Sequence, residues 1–181
     1  MIEFKTKTKT DFNYVEIVLV KKEINPHIFD IDFTEQECVS IMRNILSKYA
    51  KYNFFRKHST KYIFDTLEMS CCNNDNVTTT NNLILIDFTK HVINNQTFLI
   101  NMYNKTLLPN HSFPSTTNIK DIVDSKRLSM KITNNIYINI DSLQYDDGTL
   151  VHHIYVNVNI KKTSDMTHIT GLIDEVLSSL V

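Results

Sequence analysis

The sequence predicts a single α+β domain over residues 1–181, an antiparallel sheet with a three-stranded C-terminal meander backed by helices. Three observations carry this. Apolar residues alternate through "IYINI" and "HIYVNVNI", with turn signals at Asn134-Asn135 and Asp147-Gly148. The closing stretch "MTHITGLIDEVLSSLV" repeats apolar residues at helical spacing. A second helix announces itself with Thr34 and Glu37, three residues apart, just before another apolar-periodic run.

Taken in order, "YVEIVLV" (Tyr14 to Val20) is short, β-branched and apolar on both faces except at Glu16, as in a strand covered on two sides. A turn follows at Asn25-Pro26. The capped helix is expected over about residues 34 to 52. Phe33 packs on Cys38 as a staple, and Val39, Met42, Ile45, Leu46 and Tyr49 form the inner face. "KYIFDTLEM" (61–69) and "LILIDFT" (83–89) read as strands, with "SCCNNDNVTTTNN" a polar surface loop between them. Residues 90 to 127 mix helical and strand signals; within them "NIKDIVDSKRL" suits a short helix. Then come the two hairpins. They leave Tyr137, Asn139, Tyr155, Asn157 and Asn159 on a polar strand face that is wet or meets a partner. The final helix, residues 165 to 180, presents Met166, Ile169, Leu172, Ile173, Val176, Leu177 and Leu180 as one stripe. Ser164 or Asp165 caps it.

The 181 residues are 42% hydrophobic and 22% charged, with a formal net charge of -1, which suits a folded domain rather than a disordered chain. The balance argues against bulk electrostatic binding of nucleic acid. Only two glycines occur, Gly148 and Gly171, too far apart for a Gly-rich phosphate loop. Three cysteines, Cys38, Cys71 and Cys72, form no disulfide framework and point to a reducing, cytoplasmic setting. Asn-x-Ser/Thr triplets at Asn76, Asn95, Asn104 and Asn110 matter only after secretion. The N-terminus lacks the apolar core of a signal peptide, and no apolar run spans a bilayer. Richness in Asn, Ile, Lys, Thr and Tyr suggests an AT-rich genome.

Catalytic, cofactor and metal motifs are absent from this reading. The seven histidines are dispersed, and the adjacent His152 and His153 point to opposite faces of a strand. Asp30 with Asp32, and Asp146 with Asp147, lack a third ligand. Glu16 lacks a second acid two residues away. The basic, aromatic-interleaved run Lys48 to Tyr62 reads as a helix end with a solvated face; single-stranded nucleic-acid binding is its less favoured reading.

The order "VEIVLV", "EQECVSIMRNILSKYAKYNFFRK", "LILIDFTKHV" and the closing strand-helix resembles the autophagy-related protein one-hundred-and-one family of HORMA-domain subunits, over about half of the chain. The resemblance implies a single HORMA-like domain. Its function would be a non-enzymatic adaptor that pairs with the HORMA domain of autophagy-related protein thirteen. It would stabilise that partner in the kinase complex that initiates autophagy, in the cytoplasm at the pre-autophagosomal assembly site. No small-molecule substrate and no cofactor follow from it. Family members use an exposed Trp-Phe loop; this chain has no Trp, so Leu107, Leu108 and Phe113 in the Pro-bracketed loop are the candidate partner contacts. A structural or accessory protein of a large AT-rich virus is the alternative.

Overall fold

The computed structural model describes residues 12–49, 51, 53–65, 67–72, 78–109, 119–161 and 166–181. Its strands are β1 (Tyr14–Leu19), β2 (Lys22–Asn25), β3 (Ile28–Asp30), β4 (Phe54–Ile63), β5 (Leu67–Cys72), β6 (Thr78–Ile93), β7 (Gln96–Leu108), β8 (Asp121–Lys131), β9 (Ile136–Tyr145) and β10 (Leu150–Asn159). Its helices are α1 (Glu35–Tyr49) and α2 (Met166–Ser179).

Eight strands close into an antiparallel barrel in the order β1-β10-β9-β8-β4-β5-β6-β7, and β7 returns to β1. The expected HORMA-like open sheet backed by helices is therefore wrong. The meander β8-β9-β10 is present, with Val156 opposite Ile138 and Leu128 opposite Ile140. It does not end in an open edge, because β10 pairs onward with β1 and β8 onward with β4. Closure satisfies the edge hydrogen bonds that an open sheet would expose.

The apolar core lies outside the barrel wall. Val15, Ile17 and Leu19 of β1, Phe98, Ile100 and Met102 of β7, Ile136 and Ile138 of β9, and Ile154, Val156 and Val158 of β10 form one buried cluster with both helices. Strand side chains alternate, so burying this set against helices turns its neighbours into the barrel lumen. The anticipated stripe supplies Ile169, Ile173, Val176 and Leu177 from α2 and Leu180 just beyond it. At roughly 1.5–3 kcal/mol per large side chain, that burial contributes on the order of 10 kcal/mol before entropy.

The α1 start is the capping box read from sequence. Glu37 Oε2 accepts from the Thr34 backbone N–H at 2.7 Å, and Thr34 Oγ1 accepts from the Glu37 N–H at 3.3 Å. Its inner face is rotated from expectation: Cys38, Ile45 and Tyr49 are buried, whereas Val39 and Leu46 are 45% and 38% exposed. Sheet packing selects one edge of a stripe that sequence alone leaves broad.

Between α1 and β8 the sequence reading needs most correction. The polar "loop" of residues 70–82 contributes the end of β5 and the start of β6. The expected strand 61–69 is two strands, turned where Phe64 N–H donates to Leu67 O. The short helix expected at "NIKDIVDSKRL" is β8. The middle third is a long β6-β7 hairpin, turned at Asn94 and Asn95 with φ of 49° and 66°. Asparagine tolerates that left-handed backbone. Tertiary pairing overrides the weak helical periodicity there. No helix among the described residues is long and apolar enough to cross a membrane.

Candidate active site

The lumen is lined by the alternate residues of the same strands whose apolar residues build the core. β1 contributes Tyr14, Glu16 and Val18; β10 contributes His153, Tyr155 and Asn157; β9 contributes Asn139 and Asp141. β8 contributes Ser125 and Arg127, β4 Lys57 and Lys61, β5 Glu68, and β7 Tyr103 and Lys105. The polar face anticipated at Asn139, Tyr155 and Asn157 is thus an inner wall.

Asp141, 2% exposed, organises the charge. It accepts a two-pronged contact from Arg127, Nε to Oδ1 at 2.6 Å and Nη2 to Oδ2 at 2.8 Å. Oδ2 also accepts from Lys61 Nζ at 3.0 Å and Tyr155 Oη at 2.8 Å. Burial pushes the Asp141 carboxyl up, but Arg127, Lys61 and Tyr155 outweigh it and hold it at about 2. Burial opposes the Arg127 charge; Tyr155 and Asp141 keep it protonated. Its guanidinium lies 5.4 Å from the Tyr155 ring centroid.

Across the lumen, burial and then the charge of Glu68 raise the Glu16 carboxyl above its ordinary value. Burial lowers the Lys105 ammonium, with Glu68 and Glu16 pulling the other way. Lys105 Nζ sits 4.5 Å over the Tyr14 ring, and burial pushes the nearby Tyr103 hydroxyl up to about 12. Two buried lumen groups, Ser125 Oγ and Asn157 Oδ1, have no hydrogen-bond partner among the described residues. A cavity of about 250 Å³ lies among Glu16, Lys61, Glu68, Arg127 and Asp141. Ile31, Ile63, Val123 and Leu143 form its apolar end. The segment carrying Ile31 is fastened by Asp32 to His153 Nε2 at 2.9 Å and by the Phe33 N–H to His152 O at 2.9 Å. Buried and half-buried cations and acids converging on one cavity can bind and polarise a polyanion.

The residues expected to meet a partner are not brought into this site as a group. Leu107, 67% exposed, and Leu108 end β7, paired with Asn81 and Thr80. Phe113 lies outside the described residues. Histidines 152 and 153 do face opposite ways, His152 to Ser142 at 2.9 Å on the outer wall and His153 to the lumen side. The basic run Lys48 to Tyr62 is a helix end only at Lys48 and Tyr49: residues 54–63 are β4, Phe54 and Phe55 are exposed rather than buried, and every second residue turns Lys57 and Lys61 inward. Asp141, Arg127, Lys61 and Glu68 were missed. Their signal is faint but real: single charges at alternate positions of otherwise strand-like runs.

The architecture defines the chain as a closed antiparallel barrel, and solved structures of RNA triphosphatases share its fold. The S. pombe RNA triphosphatase Pct1 superposes with a TM-score of 0.71 at 12% identity, covering 93% of this chain and 84% of that one. A Mimivirus capping-enzyme triphosphatase gives 0.60 at 13% identity, covering 93% and 89%. No protein-family model matches the chain, and no curated protein matches it in sequence. At such identity the likeness establishes the fold. It overturns the reading of a HORMA adaptor of autophagy and, with it, the expectation of a non-enzyme.

Proposed function

We propose that this chain is a phosphohydrolase that binds a triphosphate-bearing RNA 5′ end or nucleotide in the barrel lumen and releases its terminal phosphate. The single observation that carries the proposal is the convergence of Lys61 and Arg127 with Glu16, Glu68 and Asp141 around one cavity, with Lys105 close enough to feel the charges of Glu16 and Glu68. Similar barrels named as RNA triphosphatases support the choice of substrate. This departs from the weak nucleic-acid expectation from net charge, because the cations concentrate inside rather than on the surface.

In this reading Lys61, Lys105 and Arg127 hold the phosphate oxygens. Arg127 is pre-set by Asp141, so little reorganisation accompanies charge development on the leaving diphosphate. Glu16, with its raised carboxyl, accepts a proton from the attacking water. The water oxygen bonds the terminal phosphorus, the bridging P–O bond breaks, and the electron pair leaves on the diphosphate. Phosphoryl transfer commonly engages a divalent cation, which neutralises phosphate charge. Glu68 and the orphaned Asn157 Oδ1 are hard oxygen donors that suit magnesium or manganese. Among the described residues no three acidic, His or Cys groups cluster, so phosphate and water oxygens would complete the shell.

The test is phosphate release from terminally labelled triphosphate RNA and from ATP, with and without magnesium or manganese. Arg127→Ala and Lys61→Ala are expected to lower kcat by about 10²–10³-fold. Background release by the native chain from both substrates refutes the proposal.

A further inference from the structure

We propose that the groove between α1 and the outer wall of β4, β8 and β9 docks an acidic, amphipathic segment of a partner protein. The groove has a volume of about 680 Å³ and is lined mostly by outward-facing residues of the wall, with Lys57 and Arg127 also bordering it. Its apolar part is built by Val39 and Met42 of α1 with Leu128 and Ile140 of the wall. Val39 is 45% exposed although it lies on a helix whose neighbouring residue Cys38 is buried. An apolar residue left open at the lip of an apolar groove is a ready anchor point.

The polar part follows from strand register. His58 stands opposite Lys126, Lys126 opposite Ser142, and Ser142 opposite His152, so four strands set these side chains in one row. Arg56, opposite Leu128, lies one step along on the same face. Three nearby acids bear on the groove's charge, and two are engaged elsewhere. Asp124 is bound to His58 at 2.8 Å, and Asp141 holds Arg127 from the lumen side. Glu35 is the acid lining the groove. Arg56 and Lys126 make no ion pair among the described residues. The result is a net positive rim beside an apolar floor.

Charge complementarity therefore selects a segment that carries carboxylates for Arg56 and Lys126 and an aliphatic side chain for the floor. Among the described residues no Phe, Tyr or Trp lines the groove, so it lacks the large stacking platform that single-stranded nucleic acid uses. Helix-flanked apolar grooves of this kind read spaced aliphatic anchors.

The experiment is fluorescence anisotropy with the full chain and a short labelled peptide rich in Glu with two spaced Leu residues. Companion peptides carry Lys for Glu or Gly for Leu. Binding of the Glu/Leu peptide is expected, at least about tenfold tighter than either companion. Arg56→Glu with Lys126→Glu, both exposed positions, should weaken it about tenfold, as should raising the salt. Val39→Asp should weaken it similarly while leaving phosphate release unchanged. If Val39→Asp lowers the melting temperature, the charge-reversal pair alone decides. No binding, equal binding of the Lys peptide, or indifference to charge reversal overturns the proposal. So does self-association in sedimentation that charge reversal abolishes, or displacement of the peptide by single-stranded RNA.

Discussion

Asp141→Asn changes one oxygen to an amide nitrogen yet leaves Arg127 and Lys61 facing a neutral group. Asp141 is 2% exposed and Lys61 8% exposed, so water cannot replace the lost carboxylate. Removing one partner of a buried charge cluster costs about 3–5 kcal/mol, because the remaining charges stay desolvated. For a chain of this length each kcal/mol is worth about 2–4 °C, so the melting temperature should fall by about 6–20 °C. The pH dependence gives an independent check. The folded carboxyl sits at about 2, below its ordinary 3.8. Its contribution is present above the unfolded value and is lost as pH falls from about 4 through 2. Urea unfolding of native and Asp141→Asn chains should differ most at neutral pH and converge toward pH 2. The double variant Arg127→Met/Asp141→Asn should be less damaged than the summed singles by at least about 1 kcal/mol. A neutral-pH loss under about 1 kcal/mol, or a difference independent of pH, would refute the picture of Asp141 as the hub of the lumen.

Glu16→Gln should gain stability, on the order of 0.5–2 kcal/mol at neutral pH, while abolishing phosphate release. The folded carboxyl is raised, so its charged form weakens folding above the unfolded value; the gain should vanish below about pH 4 in urea titrations. Ile173→Ala, at a fully buried α2 position, should cost about 2–5 kcal/mol by thermal unfolding. A loss below about 1 kcal/mol there would mean α2 does not cover the barrel. Thr34→Ala should cost about 1 kcal/mol by removing the cap acceptor from the Glu37 N–H. The same substitution should leave the lumen chemistry untouched.

Local chemistry made several elements legible. The Thr34-Glu37 box, the Asp147-Gly148 turn with Gly148 at φ 86°, the β8-β9-β10 meander and the α2 stripe all depend on residues close together in the chain. Even the polarity of the Asn139-Tyr155-Asn157 face was readable from a period of two. Local residue chemistry therefore set the alternation, the turns and both amphipathic helices. Whether the polar face met water, a partner or its own opposite wall was decided by pairings such as Glu16 with Asn101 and Lys57 with Arg127. Those contacts join residues 85 and 70 positions apart, and no local propensity encodes which distant strand will complete a ring. The loop-closure entropy of such pairings is offset only by the whole barrel, so the charge cluster at Asp141 exists as a site only once the last strand is in place.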